Sequence, residues 1–215
     1  MNVLVMYDRQ SDTYWSQILG EAVEGPKKGA KLTPIAALMT TWDEWKSLHP
    51  QTKALVTNGQ GGYDSYTGYY SSNQAGVLGE ISKDERLPRK QLVTGVVVDE
   101  QPVVYPHSTL SERIVVNDTV NGKPLLVVYE PRSRTAQIYS REVNEQTLTF
   151  LPSTEPGEIT DEQTGSSWTL LTGVAGDGEL AGNALERIPS TTSFWFGWKD
   201  WHPDTLVYGE QAPIN

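Results

Sequence analysis

Trp42-Asp43-Glu44-Trp45-Lys46-Ser47-Leu48-His49-Pro50-Gln51-Thr52 returns later in the chain as Trp195-Phe196-Gly197-Trp198-Lys199-Asp200-Trp201-His202-Pro203-Asp204-Thr205. Both stretches read Trp-x-x-Trp-Lys-x-x-His-Pro-x-Thr. The offset of 153 (195 minus 42) holds upstream without a gap. Asp8, Gln10 and Trp15 match Asp161, Gln163 and Trp168; Gly20, Ala22, Gly25 and Gly29 match Gly173, Ala175, Gly178 and Gly182; Leu32 and Ile35 match Leu185 and Ile188. Nine upstream identities and six in the tryptophan stretch make fifteen over residues 8 to 52, where unrelated segments would share about three. A period this long, occurring twice, reads as an internally duplicated subdomain and not as a solenoid. Like halves in one chain are expected to pack about a pseudo-two-fold axis, as identical subunits do in a dimer.

One copy can be read residue by residue. Thr40 or Thr41 can cap a helix, and Asp43 and Glu44 place negative charge in its first turn, where the dipole favours it. Pro50 pushes His49 out of the helical region and ends the helix near Leu48. Trp42, Trp45 and His49 then share one face. Two turns are unstable alone, so indoles that each cover roughly 150–250 Å² must pin the helix down. Trp42, Trp45, Trp195 and Trp198 are therefore expected as structural anchors, with a histidine bonding each helix end. A sharper reading gathers His49, His107 and His202 into one metal site, although no His-x-His or His-x₃-His spacing marks it.

Composition narrows the function classes. The 215 residues suit a single domain, 1–215, with copy one at about 3–57, a central antiparallel β region at about 58–157 and copy two at about 158–210. Seventeen basic against twenty-seven acidic residues give a net charge of −10, which argues against nucleic acid and anionic membrane surfaces as partners. No apolar run is long enough for a membrane span, and no signal peptide is visible. Cysteine is absent, so thiol nucleophiles, disulfides and Cys-ligated metals are excluded.

Taken in order, Met1–Tyr7 and Thr13–Ile18 read as strands, Gly20 to Gly29 as a bend-rich connection, and Ala54–Thr57 as a short strand. Residues 58–79 form a long glycine-rich segment with Tyr63, Tyr66, Tyr69 and Tyr70 among Ser and Asn, the makings of an adaptable binding loop or of one laid over the core. From Leu92 the pattern is β, with strands at Leu92–Val98, Val103–Tyr105, Arg113–Val116, Leu125–Tyr129, Ala136–Ser140 and Thr147–Phe150; Asn121-Gly122 is a strong hairpin signal. Leu206–Tyr208 reads as a closing strand. The expected fold is α+β, rich in β-structure, with two short tryptophan-bearing helices.

Val5-Met6-Tyr7-Asp8-Arg9 with Trp15-Ser16-Gln17, Asp84-x-Arg86-Leu87-Pro88-x-Lys90-x-x-Val93-x-Gly95, Tyr105-Pro106, Val115-Val116-Asn117-Asp118 and Thr164-Gly165-Ser166-x-Trp168 follow one another in a set order, completed by the two His-Pro-x-Thr elements. This pattern resembles the prokaryotic domain-of-unknown-function family 3179, from about residue 3 to residue 208. The resemblance implies no established activity, and it implies an exported or membrane-anchored setting. The family pattern also carries a Cys-Pro-x-Cys segment ahead of the opening motif; this sequence begins after that point, so no redox or metal role of that segment carries over.

No catalytic signature in the sequence is complete. Asp161 to Trp168 resembles the Asp-Thr-Gly-Ser loop of aspartic proteases, but Gln163 stands where the aspartate must be, and the matching loop at Asp8 has no Thr-Gly-Ser. Asp8 and Asp161 therefore read as structural turn caps. There is no Gly-x-Ser-x-Gly elbow and no Walker loop. Nothing selects a glycosidase-like pair among the acids, and Tyr105-Pro106-His107 reads first as a Pro-fixed turn. With the family resemblance implying a place outside the cytoplasm, the sequence thus points to a non-enzymatic binding or assembly module for an unidentified ligand or protein. Its cleft would lie between the halves, drawing on Trp15, Trp168, Tyr66, Tyr69, Tyr105, His49 and His202. The alternatives are a metal-dependent protein using the three histidines, or a hydrolase with an unidentified carboxylate pair. The sequence names no cofactor.

Overall fold

The computed structural model describes residues 3–55, 66–76, 79–80 and 83–210. Alternating polar and apolar residues at the start give three antiparallel strands in the order β1 (Val5–Asp8), β2 (Thr13–Ser16) and β3 (Glu21–Glu24). The glycines expected only to bend the chain after β2 in fact flank β3. Gly25 adopts φ +101°, and a side chain on it would meet the Thr13 backbone 2.9 Å away, so a residue with no Cβ lets β3 close against β2.

Helix α1 (Trp42–Leu48) has the bounds read from the sequence, with the Thr41 hydroxyl accepting from the Glu44 amide. Residues 54 and 55 form no strand, and Val56 to Ser65, Tyr63 among them, lie outside the described residues. The tyrosine segment supplies α2 (Thr67–Ser71) where an irregular loop was expected.

β4 (Leu92–Val98) and β5 (Gln101–Pro106) form a hairpin, and α3 (His107–Glu112) follows directly, because Pro106 fixes the extended residue before its first turn. The strands β6 (Val115–Val120), β7 (Lys123–Glu130) and β8 (Thr135–Ser140) make a three-stranded antiparallel sheet, β6 and β7 turning through Asn121-Gly122 at φ +48° and +76°. A small pair, β9 (Glu142–Val143) and β10 (Gln146–Thr147), leads to a four-stranded sheet of β11 (Phe150–Pro152), β12 (Glu158–Asp161), β13 (Ser167–Thr169) and β14 (Ala175–Asp177). Finally β15 (Thr191–Phe194) and β16 (Leu206–Val207) flank the hairpin in the order β15-β4-β5-β16, with α4 (Trp195–Lys199) between them in sequence; β16 joins β5 in parallel.

The molecule is β-rich, mostly antiparallel, with four short helices among the described residues. Its layers follow from side-chain parity along the strands. Val96, Val98, Val103 and Tyr105 face Leu125, Val127, Tyr129 and Ile138 across one core. Leu126, Val128 and Tyr139, on the other face of the same sheet, pack on Ile159, Trp168 and Ala175. A third cluster sets Trp195 and Trp198 on Val93, Val104 and Val207. The sheet β6-β7-β8 is thus covered on both faces, which is why β7 reads as a nearly unbroken apolar run.

Candidate binding cleft

Trp198 lies flat on β4 because position 95 is glycine: a Cβ there would stand 2.4 Å from the indole ring. Its Nε1 donates to Thr205 Oγ1 at 2.9 Å, and the His202 ring sits 4.3 Å from its centroid. Trp195 donates to the Asp84 carbonyl at 3.2 Å beneath the Arg86 guanidinium. Residues 45–52 make the same local contacts: Trp45 Nε1 donates to Thr52 Oγ1 at 2.9 Å, and the His49 ring lies 4.3 Å away. The settings differ. Trp195 and Trp198 are buried, Trp45 is half-buried, and Trp42 is exposed.

Beside Trp198 opens a cleft of about 760 Å³. Ile18, Leu32, Ile35, Ile188 and Trp198 line it together with Gly95 to Val97 of β4. A second hollow of about 480 Å³ shares Gln17, Ile18, Thr191 and Thr192 with the first and is edged by Tyr69, Tyr70, Phe194 and Phe196. Phe194 and Phe196 stack at 5.8 Å, and Tyr69 meets Phe194 edge-on at 6.4 Å. The two hollows adjoin as one groove, lined by apolar side chains with Thr33, Thr191 and Thr192 among them, a lining suited to an extended apolar ligand or chain segment.

The residues singled out from the sequence fall in different places. Trp168 is fully buried, donating to Asp161 Oδ2 at 2.9 Å and meeting Phe150 edge-on. Tyr105 is equally buried, with its hydroxyl donating to Asp118 Oδ2 at 2.8 Å. Trp15 is half-buried on β2 and Tyr66 is exposed beside α2; Tyr69 alone of the five lines the groove. The groove's other walls, Ile18, Ile188, Phe194 and Phe196, were missed. The repeated Ile35/Ile188 pair and the run Phe194-Trp195-Phe196, richer in aromatics than anchoring a short helix needs, were the available signals.

The three histidines sit beside different groups, and among the described residues no set of three or more His, Cys, Asp or Glu could hold a metal ion. The expected set of His49, His107 and His202 is not among such groups. His49 and His202 each lie tilted against the tryptophan one turn before them, while His107 shares a bond with Thr94 Oγ1 at 2.9 Å and abuts Tyr129. Burial, aided by the charge of Arg134, pushes His107 down to about 4; burial also lowers His202.

A family model described as a protein of unknown function (DUF3179) matches residues 1–205. The chain belongs to the DUF3179 family. No curated protein and no solved structure matches it. Several residues of the DUF3179 pattern bond distant parts of the fold together. Asp84 holds Arg86, whose Nη1 also donates to the Thr205 carbonyl at 2.9 Å, tying the opening of that motif to the His-Pro-x-Thr element. Asn117 bonds both the amide and the carbonyl of Phe150 at 2.8 Å, joining β6 to β11.

Asp161 is pulled upward by burial, but hydrogen bonds from Trp168 and Thr164 outweigh this and hold it below the usual carboxylate range. The Ser11 hydroxyl does the same for Asp8, and Arg86 for Asp84. These are the reverse of the raised value a general acid needs. Lys199, fully buried, lies between Glu80 at 3.7 Å and Asp200 at 3.6 Å.

Proposed function

We propose that this DUF3179 chain is a non-enzymatic binding or assembly module, built from two copies of one subdomain, whose ligand lies in the groove between them. The observation that carries the reading is the groove itself. Its lining comes from both repeats, Ile18, Leu32 and Ile35 from the first and Ile188 and Trp198 from the second. The tyrosine-bearing α2 stands at its edge.

The duplication is supported by hydrogen bonds that recur 153 residues apart. Ala22 N to Ala30 O, Gly29 N to Ala22 O and Leu32 N to Gly20 O have counterparts in Ala175 N to Asn183 O, Gly182 N to Ala175 O and Leu185 N to Gly173 O. Gly25 and Gly178 make the same close backbone approach, to Thr13 and Ser166 respectively. The family resemblance supports a place outside the cytoplasm.

The test uses 1-anilinonaphthalene-8-sulfonate as an apolar anionic probe. Ala37→Trp fills the groove at an exposed position, and Tyr69→Ala removes its aromatic edge. Both variants should weaken binding by about fivefold or more, the loss of roughly 1 kcal/mol of apolar contact. Unchanged affinity in both would overturn the reading.

A further inference from the structure

We propose that residues 3–55 carry a docking surface for a partner module built like residues 92–152: an antiparallel β-sheet unit with a free strand edge and a glycine in the role of Gly95. The inference rests on the duplication and specifies what assembles on the first copy.

Residues 92–152 make three strand contacts with the second repeat. β11 pairs with the outer edge of β12, β4 pairs with β15, and β5 pairs with β16. Subtracting 153 takes β12 to β1, β15 to residues 38–41 and β16 to residues 53–54. Among the described residues β1 pairs with β2 alone, and residues 38–41 and 53–54 lie in no strand. Among the described residues, three segments that are strand-paired in one repeat thus lack that strand partner in the other, although the second of them touches the central sheet through Leu38 and through Thr40, whose Oγ1 accepts from Thr135 Oγ1 at 2.7 Å.

Burial follows the same division. Met6 is 38% exposed where Ile159 is 0%. Trp42 is 49% exposed where Trp195 is 0%. Ala54 is exposed where Val207 is buried. Residues 92–152 are already committed to the second repeat, so the first repeat's surface fits a second unit of that build. Such a unit would add an antiparallel strand to β1, as β11 does to β12. Its glycine would seat the Trp45 ring, as Gly95 seats Trp198. The surface runs on from the groove at Leu32 and Ile35, which form its near wall.

The experiment uses the full chain and a longer chain in which residues 83–155 are repeated ahead of Val3, the spacing they keep to Pro156 (156 minus 153 is 3). The sequence has no cysteine, so Met6→Cys or Ala54→Cys gives a single thiol whose reaction with dithionitrobenzoate reads coverage. In the longer chain both thiols should react about tenfold more slowly, and exchange of the Val5–Asp8 amides should slow with them. Replacing the repeated Gly95 by Trp should restore fast reaction. Equal rates in the short and long chains overturn the proposal. So does slowing that grows with concentration in the short chain, since a second copy would then be the occupant.

A third chain, with residues 5–55 in place of 158–208, separates this inference from the duplication beneath it. If its Met6→Cys thiol is protected at the second position while the longer chain's is not at the first, the repeats are interchangeable and docking alone fails. If neither is protected, the duplication fails as well. Neither outcome touches the groove, which the dye reads.

Discussion

Gly95 is the residue on which the second tryptophan helix depends. Ala at that site would need space that the Trp198 ring fills, and overpacking of this kind costs about 1–3 kcal/mol. Gly95→Ala should therefore lower the urea midpoint and red-shift tryptophan emission. His107 supplies a pH dependence. Its folded value of about 4 lies below the ordinary 6.5, so the unfolded chain takes up the proton first. The stability owed to the neutral ring is full above pH 6.5 and drains as pH falls toward 4, on the order of 2–3 kcal/mol. Unfolding measured between pH 7.5 and 4.5 should show a smaller loss for His107→Asn than for the natural chain. Some single residues were legible: a cap at Thr40 or Thr41, which the structure places at Thr41, and Asp161 as a turn former follow from side-chain chemistry that acts over three residues. Trp168 and Tyr105 were not, because an amphipathic aromatic carries the same sequence signal whether its polar atom meets a ligand or, as here, Asp161 or Asp118.

At the scale of elements, α1 and α4 place one hydrogen bond in two environments. Thr205→Val leaves a buried indole N–H without its acceptor and should cost about 1–3 kcal/mol; Thr52→Val removes the same bond where water can replace it and should cost less than about 0.5 kcal/mol. Urea titration of the pair reads the difference directly. Element legibility followed periodicity. β4, β7 and α1 were read closely because seven or eight residues of clear pattern fix the type. β3 was hidden by its flanking glycines, and α3 by Tyr105-Pro106-His107, where a proline suits a helix start as well as a turn. Away from β4, the groove's lining was marked only by the repeated Ile35/Ile188 pair and the run Phe194-Trp195-Phe196, neither of which is a periodic pattern.

In the whole molecule, buried contacts gather in the layers from β4 to α4 and thin out over residues 3–55. Local opening should follow that gradient: amides of Trp42–Leu48 should exchange orders of magnitude faster than those of Trp195–Lys199, as read by hydrogen-exchange mass spectrometry. That contrast could not be read in advance, since fifteen identities make the repeats look equal and only tertiary contacts distinguish them. The doubly covered sheet β6-β7-β8 has a further consequence for biosynthesis. Leu126, Val128 and Tyr139 leave the ribosome before the layer that shields them, which ends with Leu185. At about 5–20 residues per second, the nascent chain carries this bare greasy sheet for roughly 2–9 seconds. That interval is long enough for a chaperone to engage it, so yield from the cell should depend on holdase supply more than the finished protein's stability would suggest.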